Sequence, residues 1–418
     1  MVFLGFLLGC LLFQLAFKPY FHPFFSADYW RTIGKIGEAL RIVHVSYVDE
    51  GKADLDELSN EALAGTLQSL DRYSNYLPAE AYEAYRKSSR MEFEGIGVEV
   101  QTLADRVVVV RVFEGGSAKE EGMLPGDSFL SVDGEDVTGL SLADTVQRIK
   151  GAPETRVAVR IRRLWPEAQE KVFDVTRRFV KMPSVTNVQL LVEKVGYLKV
   201  SRFTEDTHAL LQKALDELTE KGAKSLILDL RGNPGGLLTA SITLASEFLA
   251  DDKMVVSVRG RKTESEEKMH ALADDRNWGK PVVVLMDGNS ASASEILAGA
   301  LKAHGLATVV GEQSVGKGTV QTVYNLRDAA GMVLTTAKYY LPDGTTIAGT
   351  GVEPDLVVEM PEETYSQVRL SLLHRGSFSA GRFEKTFGFA PVKDPQLDAA
   401  VDVLLKKEAS LTKAGGPD

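Results

Sequence analysis

DGNSASASEILAGALKAHGLATVVGEQSVGKGTVQ, residues 287–321, holds a candidate nucleophile and a candidate base. The run before it, Pro281 to Met286 (PVVVLM), is short, apolar and β-branched, which predicts a buried strand. Ala291 to Ala303 has good helix formers, with Ile296, Leu297 and Leu301 at helical spacing. The cluster Ser290, Ser292, Ser294 therefore falls on a strand-to-helix turn. A hydroxyl there points at backbone N–H groups and at the positive end of a helix dipole, which favour developing negative charge. The same letters have a plainer reading, since Ser292 with Glu295 fits S-x-x-E, a capping box that satisfies orphan amides at a helix start.

The second half of the stretch sets Lys317 between Gly316 and Gly318, with Gln321 four residues on. Positions four apart share a face in a strand or a helix, so Gln321 is placed to hold the amine of Lys317. A free lysine is almost wholly protonated at neutral pH, and lowering its pKa by roughly 3 units to make it a base costs about 4 kcal/mol. Burial in an apolar, uncharged site does this. Val315, Val320 and the glycines supply such surroundings, and Glu312 is the only acid near Lys317 along the chain. The plainer reading is a surface lysine on a glycine loop. Gly311-x4-Gly316-Lys317 also begins like a phosphate-binding loop, which needs Ser or Thr next and then a helix. Position 318 is glycine and TVQTVYNL alternates like a strand, which argues against nucleotide binding.

Taken together, NSASASEI and GKGTVQ resemble the motifs of the C-terminal processing (tail-specific) peptidases, which are Ser-Lys proteases. In that family the nucleophile is the middle serine of the motif and precedes the lysine by 25 residues; here 317 − 25 = 292. The resemblance thus implies Ser292 as nucleophile, Lys317 as proton acceptor and Gln321 as the residue orienting the lysine.

Composition sets the outer bounds. A 418-residue chain, 44% hydrophobic and 25% charged, is globular and long enough for two or three domains. Its net charge of −10 argues against a nucleic-acid partner. The single cysteine, Cys10, excludes intrachain disulfides and cysteine-based zinc sites, and no H-E-x-x-H occurs, so neither metal nor cofactor is expected. The opening is apolar for about sixteen residues, with the first charge, Lys18, behind the run, which suits a signal h-region or a short membrane anchor. Leu7-Leu8-Gly9-Cys10 resembles a lipoprotein box on too short a leader. Residues 1–25 are read as that segment, and the protein as exported, periplasmic or membrane-anchored on the extracytoplasmic side.

Residues 26–91 read as an N-terminal helical region, with Ile33, Ile36, Leu40, Val43 and then Leu55, Leu58, Leu63, Leu67, Leu70 at three- and four-residue steps. LDRYSNYL, from Leu70 to Leu77, breaks this into a polar, aromatic turn. It resembles the family's segment before the PDZ domain, with Arg72 in place of the usual proline. Residues 92–178 change to short β-branched strands (Arg106 to Val112, Thr155 to Arg162, Lys171 to Thr176) and one helix, Ser141 to Ile149. Gly95-Ile96-Gly97-Val98 opens this part, which resembles a PDZ domain with G-I-G-V as its carboxylate-binding loop. Glycines let consecutive amides face one anion, and an extended peptide adds as a strand beside the helix. Ile96, Val98 and Val146 would then read the last side chain. A small β-domain without an open groove is the alternative.

A basic connector, Val175 to Val185, leads into residues 179–360, where strand and helix alternate: Val195 to Val200, Asp206 to Lys221, Ser225 to Leu230, Leu237 to Ala250, Met254 to Val258, then the opening stretch. Such alternation predicts a mainly parallel α/β core. SLILDL runs into Arg231-Gly232-Asn233-Pro234-Gly235-Gly236, where glycine lets backbone approach a ligand and helix-start amides face it. The family places this loop opposite the nucleophile, which implies Gly236 N–H and Ala293 N–H as the oxyanion hole, with Gly235 the near alternative. His304 ends the helix that Ser292 begins, about 18 Å away at 1.5 Å per residue, and cannot reach it. Residues 361–418 read as a helix, a loop around Gly376 to Arg382, and another helix from Pro395 to Leu411, with packing or dimer contacts as their role.

The resemblance covers roughly Leu70 to Asp355. It implies an α/β fold, a Clp-protease/crotonase-like catalytic core with an inserted PDZ domain and an N-terminal helical segment. It also implies a serine endopeptidase acting on protein substrates with accessible C-termini, and leaves room for membrane association through the N-terminal segment and for a homo-oligomer or a regulatory partner. Two other classes compete: a PDZ scaffold with an inactive protease-like core, and a crotonase-like acyl-transfer enzyme.

Overall fold

The computed structural model describes residues 26–88, 93–180, 182–261, 266–272 and 277–414. The apolar opening segment with Cys10 and Lys18 lies outside them. The chain divides into two compact units, one of residues up to 86 with 321–335, the other of residues 87–320 with 336–418.

In the first unit the helices Ala27–Ser46 and Leu55–Gln68 follow the predicted periodicity, and a third helix, Ala79–Ser88, begins after the polar turn. Asp54 starts the second, its carboxylate accepting the Asp56 and Glu57 amides. LDRYSNYL is a turn that runs into a strand: Asp71 Oδ1 accepts the Tyr73 and Ser74 amides at 2.7 and 2.8 Å. Asn75–Leu77 then pairs antiparallel with Val333, Met332 and Gly331. Tyr82 packs on Gly331 and donates to Asn325 Oδ1 at 2.7 Å.

In the second unit a small antiparallel sheet carries Val98–Leu103, Arg106–Val112, Ser128–Val132, Arg156–Arg163 and Gln169–Thr176, in that order. Its strands show the two-residue period: Val157, Val159 and Ile161 are buried while Arg156, Ala158, Arg160 and Arg162 face out. The helix Leu142–Ile149 is capped by Ser141, whose hydroxyl accepts the Asp144 amide.

The same unit contains a six-stranded sheet in the order Val185–Leu190, Val195–Val200, Ser225–Asp229, Val282–Met286, Ala307–Gly311, Leu356–Val357. Only the first pair is antiparallel. Leu226, Leu228, Val282 and Val284 pack against the helices Thr207–Glu220, Leu238–Ser246 and Ala293–Ala303. Tyr197, Ile227, Val283 and Leu285 face the opposite way, onto Leu397, Ala400 and Leu404 of the helix Pro395–Ala414. Two covered faces explain why these strands are continuous apolar runs. The last helix thus supplies packing within the chain.

The loop expected around Gly376 to Arg382 gives way at Ala380 to a helix, Ala380–Phe387. Eight residues with an internal glycine make a weak helix alone. It forms by burying Phe383 and Phe387 against Leu103, Val108 and Val110.

Candidate active site

At the end of Val282–Met286 the chain turns through Asp287 and enters the helix Ala293–Ala303 with Ser292 as its N-cap, at φ 57° and ψ −115°. A non-glycine residue there costs about 1–3 kcal/mol and persists only when its surroundings hold it. Ser290 and Ser294 do part of the holding. Both are fully buried; the Ser290 hydroxyl donates to Leu230 O at 2.9 Å, and that of Ser294 to Asn233 O at 3.0 Å. Of the three serines only Ser292 is half-exposed.

The loop after Ser225–Asp229 lies against this turn. Asn233 ties it down, its Nδ2 donating to Val200 O and its backbone carbonyl accepting the Ala291 amide at 3.0 Å. Gly235 and Gly236 sit at φ 98° and 147°. A Cβ on Gly235 would stand 2.8 Å from Ser292 Cβ and 3.0 Å from Ala293 N, and one on Gly236 would overlap the Phe203 carbonyl. Glycine is therefore required at both positions. The Gly235 amide donates to Asn233 Oδ1 at 2.9 Å, whereas those of Gly236 and Ala293 have no acceptor among the described residues.

Glu295 has a wider part than a cap. It is fully buried, and its carboxylate accepts the amides of Ser292 at 2.7 Å, Gly316 at 2.7 Å and Lys317 at 2.9 Å, and the Ser314 hydroxyl at 2.5 Å. The capping box with Ser292 is present, but the same side chain also holds the lysine loop. Glu312 is the only acid near Lys317 along the chain, and Glu295, 22 residues away, is brought to its backbone N–H by the fold. Lys317 is half-buried, between Gly316 at φ 81° and Gly318, both packed against residues 347–351. Gln321 belongs to the other compact unit, where its side-chain amide donates to Thr335 Oγ1 at 3.4 Å.

Under the glycine loop lies a buried ion cluster. Arg231 pairs with Asp229 at 2.7 Å and with Asp394 at 2.8 Å, and Lys199 Nζ donates to Arg231 O at 2.5 Å. Burial would raise the Asp229 carboxyl, but Arg231 and Lys199 overcome it and hold that group far below its ordinary range. Burial pushes the Lys199 amine down. The cluster fixes the root of the loop that carries Gly235 and Gly236.

Gly95, Ile96, Gly97, Val98 and Val146 all line one cavity of about 210 Å³. Ile96 is only 1% exposed and belongs to the sheet's core, so it forms a wall, and Val98 and Val146 supply the half-buried apolar surface. Lys150 and Met182 add to the lining. Gly97, at φ 83°, has its Cα against Gly116, which no side chain would permit. Two histidines have partners of their own: His208 pairs with Glu247 at 2.7 Å, and His304 with Met254 O at 2.8 Å.

A model of peptidase family S41 matches residues 194–358, and a PDZ domain model matches residues 86–162. The carboxy-terminal-processing protease of Bartonella bacilliformis is 38% identical over 335 residues, covering 78% of this chain and 74% of that protein. The carboxy-terminal processing protease CtpB of Bacillus subtilis is 33% identical over 335 residues, 79% of this chain and 69% of its own length. A putative S41 protease structure from Bacteroides fragilis shares the fold, with a TM-score of 0.54 at 16% identity over 78% of this chain and 90% of that one. These matches define a serine peptidase with a PDZ domain. The chain belongs to the carboxy-terminal processing proteases of peptidase family S41.

Proposed function

We propose that this peptidase cuts protein chains recognised by their C-terminal tails, using Ser292 and Lys317 as a dyad. The observation that carries this is the convergence on Glu295, which fixes the backbone of both residues with one buried carboxylate. Ser292 Oγ attacks the scissile carbonyl carbon and its proton passes to the Lys317 amine. The C–N bond then breaks, and Lys317 returns the proton to the leaving amine. Water repeats the cycle on the acyl-enzyme, giving its proton to Lys317 and freeing the acid and Ser292. The Gly236 and Ala293 amides hold the oxyanion.

The cavity at Gly95 to Val98 takes the substrate's terminal carboxylate and an apolar last residue, adding the tail as a strand beside Leu142–Ile149. In this reading residues 1–25 export the protein or anchor it, which places the protease on the extracytoplasmic side. A fluorophosphonate probe tests the nucleophile: the adduct should map to Ser292, and labelling of Ser290 or Ser294 instead would refute the assignment. Binding of a peptide with a free apolar C-terminus, compared with its amidated twin, tests the groove; equal affinity would refute it.

A further inference from the structure

We propose that Tyr365, on the C-terminal helix Glu362–Leu373, is a positioning residue for hydrolysis, its hydroxyl locking the carboxylate that joins the glycine loop to the nucleophile turn. The proposal rests on the reading of Ser292 as nucleophile.

Asp287 lies five residues before Ser292 in the same turn and is 2% exposed. Its two oxygens are divided. Oδ1 accepts the Gly232 amide at 2.9 Å and the Asn289 amide at 3.0 Å, with the Ser290 hydroxyl at 3.1 Å, so it bonds both loops. Oδ2 accepts the Tyr365 hydroxyl at 2.8 Å, its one donor among the described residues. A carboxylate can turn about its Cβ–Cγ bond, and the phenol on Oδ2 holds it at the angle that presents Oδ1 to the Gly232 amide. Without it a buried anionic oxygen has no donor, and the group gains by turning away from Gly232. Gly232 opens the loop that ends at Gly235 and Gly236, so the loop's placement against Ser292 depends on this bond.

Tyr365 also sits directly on the loop, 3.5 Å from where a Cβ on Gly232 would be. Its helix is anchored independently. Val368 and Leu370 are buried, and Arg369 pairs with Glu99 on the strand Val98–Leu103, which Arg111 also approaches at 3.6 Å. Tyr365 lies beyond the residues matched to family S41, 194–358, so the family match implies no role for it.

The test uses full-length wild type, Tyr365→Phe, Asp287→Asn, their combination and Ser292→Ala. An unfolded protein with an apolar C-terminus is the substrate for kcat and KM, and fluorophosphonate labelling per folded molecule is followed separately. Tyr365→Phe should lower kcat and the labelling rate together by about tenfold, with KM nearly unchanged, because a slightly misplaced loop slows chemistry rather than binding. The double variant should be no slower than Asp287→Asn, since the phenol acts through that carboxylate. The proposal is overturned if Tyr365→Phe labels and turns over like wild type, if only KM changes, or if the two substitutions add. Should Ser292→Ala still cleave, the nucleophile assignment fails; an inactive Ser292→Ala beside an unimpaired Tyr365→Phe refutes the positioning role alone.

Discussion

Glu295 accepts the backbone N–H of Lys317, 22 positions further along the chain, at 2.9 Å. The same oxygen accepts the Ser292 amide, so neither residue can shift without breaking a buried charged hydrogen bond. Each buried donor left unpaired costs about 1–3 kcal/mol. Glu295→Ala strands three amides and a hydroxyl, and should lower stability by at least ~2 kcal/mol on that scale while abolishing turnover. Glu295→Gln, with one accepting oxygen, should fall between the two. Unfolding midpoints and peptidase rates check both; a fully active Glu295→Ala would show that the lysine loop holds itself.

Gly236 permits no side chain, because a Cβ there overlaps the Phe203 carbonyl at a φ that L-residues avoid. Gly236→Ala should therefore displace the loop and reduce kcat by roughly 10²-fold or more, the usual effect of losing one oxyanion donor. Gly232→Ala, which meets only the Tyr365 hydroxyl, should be milder. Equal rates for Gly236→Ala and wild type would remove Gly236 from the oxyanion hole.

Much of this fold was legible because both signals were strong. Apolar runs such as Val282–Met286 alternate with amphipathic helices, and the two-residue period of Arg156–Arg163 marks a half-exposed sheet. What escaped was held by tertiary contact alone. Ala380–Phe387 is helical because two phenylalanines bury against another sheet, which no local pattern announces. Glu295 was visible only as a cap, since its three other partners, Ser314, Gly316 and Lys317, lie on a separate loop. S-x-x-E at a serine-rich turn was the available signal. Tyr365 carried none, because its partner Asp287 is 78 positions away.

Val146 and Val98 provide the groove's half-buried apolar surface. Val146→Asp should put a carboxylate where the proposed groove would take the tail's last side chain, weakening binding of an apolar C-terminal peptide at least tenfold, about 1.4 kcal/mol. Fluorophosphonate labelling of Ser292 should be unaffected. Calorimetric titration with the peptide checks the first, and unchanged affinity would place the tail elsewhere.

His374 gives an acid limit to stability. Burial, helped by Arg111 and Arg382 and opposed by its bond to the Val110 carbonyl and by Glu99, lowers its pKa from the ordinary 6.5 to about 4. Between these values the unfolded chain binds the proton and the folded one does not. The stabilisation is therefore complete above about pH 6.5 and is lost as pH falls toward 4, at about 1.4 kcal/mol per unit. His374→Gln keeps a donor for Val110 without titrating. Its melting temperature should fall less than that of wild type between pH 7 and pH 4.5, and parallel falls would exclude His374 as the cause.

Ser292 and Lys317 are proposed to act as one catalytic pair. The most direct measurement is cleavage of an unfolded protein bearing a free apolar C-terminus by wild type, Ser292→Ala, Lys317→Ala and the double variant. Residues that act as a unit are non-additive, so each single substitution should remove turnover almost completely and the double should be no worse, with tail binding intact in all. Lys317→Ala retaining wild-type kcat, or single losses that multiply in the double variant, would contradict the dyad.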